Sequence, residues 1–430
     1  MSLTLQQAVE TLRELGSPQE LRAAATEGAA PSERPGVNIH VHLPPNYSAF
    51  AGVAQAVSLA VEQGVRVLGA SNYYDYRVYA DFVDEATRRG VLPLFGLEII
   101  STDPELAERG IRVNDPNNPG RMYICGKGIT GFAPKLTGRA AELVATIRRN
   151  DAERMAAMTD KLEGIFRDAG LATGRDAETV IDGVVSRHGC PPDAVVLQER
   201  HIAQAFQEAL WDRVEPAQRP AALDRLLPDG FDGDATDAVA VQGQLRSQLM
   251  KAGRPAFVPE TFLQTPQAYE LITALGGIPC YPTLADGAAE TCPFERTPEE
   301  LVAHCRKRGI HAAELIPVRN APEVLHRYVR TFRERGMIVV AGTEHNTQKL
   351  LPMEPTCAGG APVPEELKDI FYEGACVVAA HQFLRLHGQT GYVDDAGRLN
   401  PDYAGDEQRI ADFAALGRAI CRRYFDAHGG

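Results

Sequence analysis

Two histidines one residue apart, His40 and His42, close the run Gly36-Val37-Asn38-Ile39-His40-Val41-His42. The run is apolar and alternating and follows Pro35, which reads as a short buried strand over Val37–His42. Side chains at i and i+2 of a strand point the same way, so the two imidazoles leave one strand end together, about 6–7 Å apart along it. His is the commonest protein metal ligand, and the placement suits two ligands of one ion. It equally suits two strand-end polar groups hydrogen-bonded to backbone, and the motif alone leaves both readings open.

The elements around this pair follow a strand–helix alternation. Leu5, Val9, Leu12 and Leu15 fall at helical spacing within 3–28, and Gly16-Ser17-Pro18 breaks that run. Pro31 to Pro35 reads as a linker. Beyond it, strands are expected at Val65–Ala70, Val91–Leu94 with Gly96–Ile100, Met122–Cys125, Gly277–Cys280, Ala312–Ile316 and Met337–Ala341. Helices are expected at Ala51–Gln63, Val78–Arg89, Ala140–Asp168, Val195–Leu210, Pro266–Leu275, Pro298–Arg308, Pro322–Arg335 and 405–425. Residues 212–256, rich in Asp, Gly, Pro and Gln, read as a variable insertion or a mobile segment. Repeated βα units imply a parallel sheet, and six or seven around one core suggest an α/β barrel with terminal helices. The expected organisation is an N-terminal arm and linker over 1–35, a barrel over 36–400 with its insertion, and a C-terminal helix over 401–430.

In such barrels functional residues sit at the C-terminal ends of strands, and chemistry-bearing residues fall there. His40 and His42 end the first strand, Ser71-Asn72-Tyr73 the second and Glu98 the third. Tyr123 lies on the fourth, Tyr281 follows Cys280, Glu314 lies on the strand after His311, and Glu344-His345 follow Met337–Ala341. Glu199-Arg200-His201-Ile202-Ala203 opens a helix.

Composition bounds the function. The chain of 430 residues is 44% hydrophobic and 23% charged, ordinary for a globular protein. A formal charge of −13 argues against nucleic acid as a partner but leaves room for a small anionic substrate held by local Lys or Arg. No apolar run approaches the ~20 residues of a membrane span, and the N-terminus lacks a signal-peptide pattern. Eight cysteines without a CxxC pair read as scattered reduced thiols, and the expected compartment is the cytoplasm. Oligomeric state is not legible.

Taken together, the motifs resemble the PHP family, named for polymerase and histidinol phosphatase. His40-x-His42 matches its HxH, Gly96-Leu97-Glu98 its Gly-x-Glu, and Arg200-His201-Ile202-Ala203 its Arg-Pro-His-Ile-Ala without the proline. Gly253–Pro259 and Gly276-Gly277-Ile278-Pro279 also resemble family segments, and the likeness runs over roughly residues 36 to 350. The resemblance implies a distorted seven-stranded βα barrel, related to the TIM barrel, and metal-dependent phosphoester hydrolysis. The departures are specific. Ser71-Asn72-Tyr73 stands for Thr-Asp-His, Tyr123 and Tyr281 stand for histidines, and Asn46 or Tyr47 replaces an Asp. The late motif reads Gly342-Thr343-Glu344-His345-Asn346. A neutral phenol, ionising near pH 10, is a poor ligand for these ions.

What the resemblance then implies is a trimmed site. His40, His42, Glu98, His201 and Glu344 or His345 would hold one or two divalent ions, Zn²⁺, Mn²⁺ or Fe²⁺. Tyr73, Tyr123 and Tyr281 either pack or, if functional, donate hydrogen bonds or act as acid catalysts. Arg200, Lys127 and Arg319 are candidate anion holders, each also an ordinary ion-pair residue. The function expected is a metal-dependent phosphoesterase acting on a small molecule. The alternative is a PHP-like binding or regulatory protein that has lost its chemistry. The HxH start also resembles the amidohydrolase superfamily, but no second histidine pair is found.

Overall fold

Strand alternation decides which side chains enter the centre of this molecule. A computed structural model describes residues 4–27, 34–115, 118–132, 136–288 and 292–429. Its strands are β1 (Gly36–Val41), β2 (Val65–Ala70), β3 (Leu92–Thr102), β4 (Arg121–Lys127), β5 (Leu263–Gln264), β6 (Ile278–Thr283), β7 (Ala312–Leu315) and β8 (Ile338–Ala341). Seven of them form one sheet in the order β1-β2-β3-β4-β6-β7-β8, and β5 adds to β3. Pairing is parallel except at β4, which runs antiparallel to both β3 and β6.

The sheet curls until its edges meet. Val41 bridges Glu344, the His42 amide donates to the Glu344 carbonyl at 2.8 Å, and the Glu344 amide donates to the His40 carbonyl at 2.8 Å. The result is a nearly closed, distorted βα barrel, the fold class expected. Its seam requires Gly342, because a Cβ there would lie 2.3 Å from the Cβ of His40. The next turn holds Glu344 at φ 59° and His345 at φ 54°, a left-handed conformation that costs non-glycine residues energy and persists only when surrounding contacts enforce it.

Apolar residues on the outward faces of the strands pack under helices. The N-terminal arm is two helices, Leu5–Arg13 and Pro18–Glu27, parted where Gly16 takes φ 138°. Of the linker expected at Pro31 to Pro35, residues 31–33 lie outside the described residues. The two strand pieces expected near residues 91–100 form the single β3. A helix not anticipated, Glu365–Leu386, is buried almost throughout from Phe371 onward. A helix apolar on all sides has no 3.6-residue stripe to betray it. It approaches β8 so closely that a Cβ on Gly374 would lie 2.0 Å from the Val339 carbonyl oxygen.

Between β4 and β5 the chain makes a helical block with its own core. The long helix Gly138–Asp168 is joined by Ala177–His188, Glu199–Arg213, Arg219–Leu226 and Ala238–Leu245. Met158, Leu162, Phe166, Phe206, Leu223 and Leu245 are buried together there. Residues 212–256, expected as a variable insertion or a mobile segment, contribute the last two helices. No helix among the described residues is long and apolar enough to cross a membrane.

Candidate active site

On β1 the alternation turns Val37, Ile39 and Val41 outward and Asn38, His40 and His42 inward, and β3 presents Glu98 from the neighbouring wall. The Nε2 atoms of His40 and His42 lie 3.3 Å apart, and His42 Nε2 lies 3.3 Å from Glu98 Oε2. Donor atoms held ~2.0–2.1 Å from a tetrahedral ion stand about 3.3–3.4 Å from one another. The two edges therefore have the length of ligand–ligand edges in a metal site, and the donor set, two imidazoles and a carboxylate, suits Zn²⁺ or a similar ion. All three residues are buried, with 1%, 0% and 4% of their surface exposed. Burial opposes the charge on Glu98, and His42 and His40 beside it more than offset this, holding it below the usual carboxylate range.

His40 is oriented from behind. Its Nδ1 meets Glu314 Oε2 at 2.8 Å. An imidazole that gives its Nδ1 proton to a carboxylate keeps a lone pair on Nε2, the arrangement typical of metal-bound histidines. The other oxygen of Glu314 accepts from Lys127 Nζ at 2.6 Å, and the same ammonium contacts Ser71 Oγ at 3.3 Å and the Ile39 carbonyl at 3.4 Å. Burial would raise Glu314, but His40 and Lys127 hold it down at about 2. Cys125 completes this layer, its sulfur within 4.8 Å of donor atoms of His40 and Glu314.

Lys127 lies in this floor because β4 runs backwards. The register pairs Thr102 with Arg121, Ile100 with Tyr123, Glu98 with Cys125 and Gly96 with Lys127. The start of β4 is thus at the barrel mouth and its end deep inside, reversing the strand-end rule for this strand. Lys127, expected to hold an anion, is instead fully sequestered against Glu314.

Above the floor opens a cavity of about 450 Å³, reaching Tyr73, Glu98, Arg121, Tyr123, Arg319 and Glu344 from the barrel side. The helical block supplies its roof with Asp151, Arg154, Glu199, Arg200, Arg246 and Lys251. Most of these charges are paired. Glu199 binds Arg154 at 3.1 Å and also Lys251, Arg121 binds Asp115 at 3.2 Å, and Arg319 binds Glu344. Two are not. Among the described residues the guanidinium of Arg200 has neither hydrogen bond nor ion pair, and burial with Arg246 nearby depresses it to about 10. Among those residues the carboxyl of Asp151 likewise has neither, and burial pushes it up to about 7 against the pull of Arg154 and Arg121.

The remaining expected residues divide. Tyr73 stacks on His42, ring centroids 5.1 Å apart, beside Glu98, and burial drives its phenol well above the usual range. Tyr123 lines the cavity, its backbone clamped by Asn114, whose Oδ1 accepts from the Tyr123 amide at 2.7 Å. Glu344 lines it too. Tyr281 does not. With Cys280 and Pro282 directed inward, it faces the helices, and its hydroxyl donates to Glu295 at 2.9 Å. His201 accepts the Gln198 amide on Nδ1 at 3.1 Å as a helix cap, and burial lowers it to about 3. His345 has both ring nitrogens engaged, with Thr343 Oγ1 at 2.7 Å and the Leu351 carbonyl at 2.9 Å. Neither histidine joins the converging donors among the described residues. Sequence reasoning left the role of Glu314 open and overlooked Asp151, Arg154, Arg246 and Lys251. The last four sit in or just after helical segments whose periodicity says nothing about the barrel they cover.

No protein-family model matches the sequence, and no curated protein matches it either. Among solved structures, the chain shares its fold with a candidate metal-dependent phosphoesterase from Bifidobacterium adolescentis, at 15% identity and a TM-score of 0.51, over 80% of this chain and 96% of that one. An amidohydrolase from Chromobacterium violaceum, solved with bound sulfate and no metal, aligns at 17% identity and a TM-score of 0.47, over 78% of this chain and 96% of that one.

Proposed function

We propose that this protein is a metal-dependent hydrolase of the PHP type, acting on a small anionic phosphoester. The observation that carries the reading is the convergence of His40, His42 and Glu98, with His42 Nε2 3.3 Å from both His40 Nε2 and Glu98 Oε2, beside a cavity lined by Arg200, which has no ion pair among the described residues. His40, His42 and Glu98 would hold the ion, with Glu314 fixing the ring of His40. When bound, such an ion polarises the scissile group and makes a water acidic enough to deprotonate near neutral pH.

The chain's own residues do the rest. Arg200 binds the anionic group of the substrate, the role for which a guanidinium without a counter-charge is available. Tyr73, packed on His42, keeps bulk water off the donors. Asp151, protonated below about pH 7, donates a proton to the departing oxygen. The helical roof shields these charges, strengthening each interaction. The HxH and Gly-x-Glu motifs and the fold shared with the Bifidobacterium protein support a phosphoester over other esters.

The test is hydrolysis of small phosphomonoesters and phosphodiesters by protein loaded with Zn²⁺ or Mn²⁺. Turnover is expected, abolished by chelator and reduced roughly 100-fold or more in His42→Ala. Metal-loaded protein that hydrolyses none of them overturns the reading. One observation favours the second reading, a binding protein. Tyr73 covers His42 and the histidines are nearly inaccessible. Anion binding in the cavity that is indifferent to metal would support it.

A further inference from the structure

The barrel floor holds a second group of potential ligands, His40, Cys125 and Glu314, whose donor atoms lie within 4.8 Å of one another. Both carboxylate oxygens that such a site would recruit are already engaged. Glu314 gives one oxygen to His40 Nδ1 at 2.8 Å and the other to Lys127 Nζ at 2.6 Å. The ammonium is further fixed by Ser71 Oγ and the Ile39 carbonyl, and Lys127 and Glu314 are 2% and 0% exposed.

We propose that the Lys127 ammonium is the built-in second cation of this centre, restricting it to a single divalent ion. The inference rests on the reading of His40, His42 and Glu98 as ligands. Its logic is charge balance in a buried space. Glu98, Glu314 and Lys127 together carry one negative charge when the imidazoles are neutral, the form that binds metal. One divalent ion brings the cluster to a single positive charge. A second would bring it to three, with Glu314 already shared between His40 and Lys127 and the nearby Glu344 paired with Arg319, and uncompensated buried charge is costly. Lys127 thus holds Glu314 as the positioning group for His40 rather than as a ligand.

The experiment is a titration of metal-free protein with Co²⁺ alone, followed by visible absorption and by metal content after gel filtration. Wild type is expected to saturate at one equivalent, without a thiolate-to-cobalt charge-transfer band. Lys127→Met frees Glu314 and is expected to take a second equivalent, with that band appearing as Cys125 joins. The double variant Lys127→Met, Glu314→Gln, an uncharged pair of similar volume, is expected to return to one. Wild type that saturates at two equivalents overturns the inference while leaving the hydrolase reading standing, and this endpoint decides even if Lys127→Met does not fold. A folded Lys127→Met that stops at one equivalent also overturns it. Wild type that binds no cobalt overturns the metal reading itself, a distinguishable failure.

Discussion

An arginine left without a direct ion pair in a lined cavity is costly unless a ligand supplies one. Among the described residues Arg200 is in that position, with Glu344 acting on it only at a distance, and its neighbours are not: Arg319 pairs with Glu344, and Arg154 with Glu199. Arg200→Ala is therefore expected to raise KM for an anionic substrate about 10- to 100-fold with a smaller effect on kcat, whereas Arg200→Lys retains part of the binding. Steady-state kinetics on the two variants checks this. Asp151 gives a second test, by titration. Its folded pKa of about 7 lies above the ~3.9 of an unfolded Asp. Between those values the folded state holds a proton that the unfolded state releases, so this group makes stability fall as pH rises from about 4 to about 7. Asp151→Asn is expected to remove that slope in denaturation midpoints measured across the window. It is also expected to lower activity below pH 7 and so to flatten the fall above pH 7 that the proton-donor role entails. Among single residues, the pair His40 and His42 and the acid Glu98 were legible because strand parity and strand ends announce them. Asp151 was not, since its position is set by a helix packing across the mouth.

At the scale of elements, the barrel was readable and its exceptions were not. Pro and Gly punctuation marked strand and helix limits closely, as with β2 and the helix Val78–Arg88. The reversal of β4 has no signature in a seven-residue strand, yet it moves Lys127 from the mouth to the floor and exchanges it for Arg121. Tyr281 shows the same dependence on parity. Pro282 lines the cavity, so its neighbour must face the helices, and a one-residue difference in register inverts the expectation. The seam is the element most sensitive to change. Gly342→Ala would drive a Cβ against His40, 2.3 Å from its Cβ, and is expected to cost on the order of 2–4 kcal/mol. Because the clash falls on His40, metal affinity is expected to drop with stability. Chemical denaturation with and without added metal measures both. A fall in stability with metal affinity unchanged would show that the seam does not position the site.

At the scale of the whole molecule, two cores meet at one cavity. The barrel core supplies the converging donors, and the helical block, with a core of its own around Phe166 and Phe206, supplies Asp151, Arg200, Arg246 and Lys251. A metal bound only by the folded state stabilises it by mass action, about 2.7 kcal/mol at a free concentration 100 times the Kd. The melting temperature is therefore expected to rise with added Zn²⁺ or Mn²⁺ in wild type and to be insensitive in His42→Ala. The measurement that tests the central claim most directly is elemental analysis of protein purified without chelator or a metal-affinity tag, alongside His42→Ala and Glu98→Gln. The account predicts about one divalent ion per chain in wild type and its loss in both variants. A wild type without metal, or variants that retain it in full, would contradict the assignment of His40, His42 and Glu98 as a metal centre.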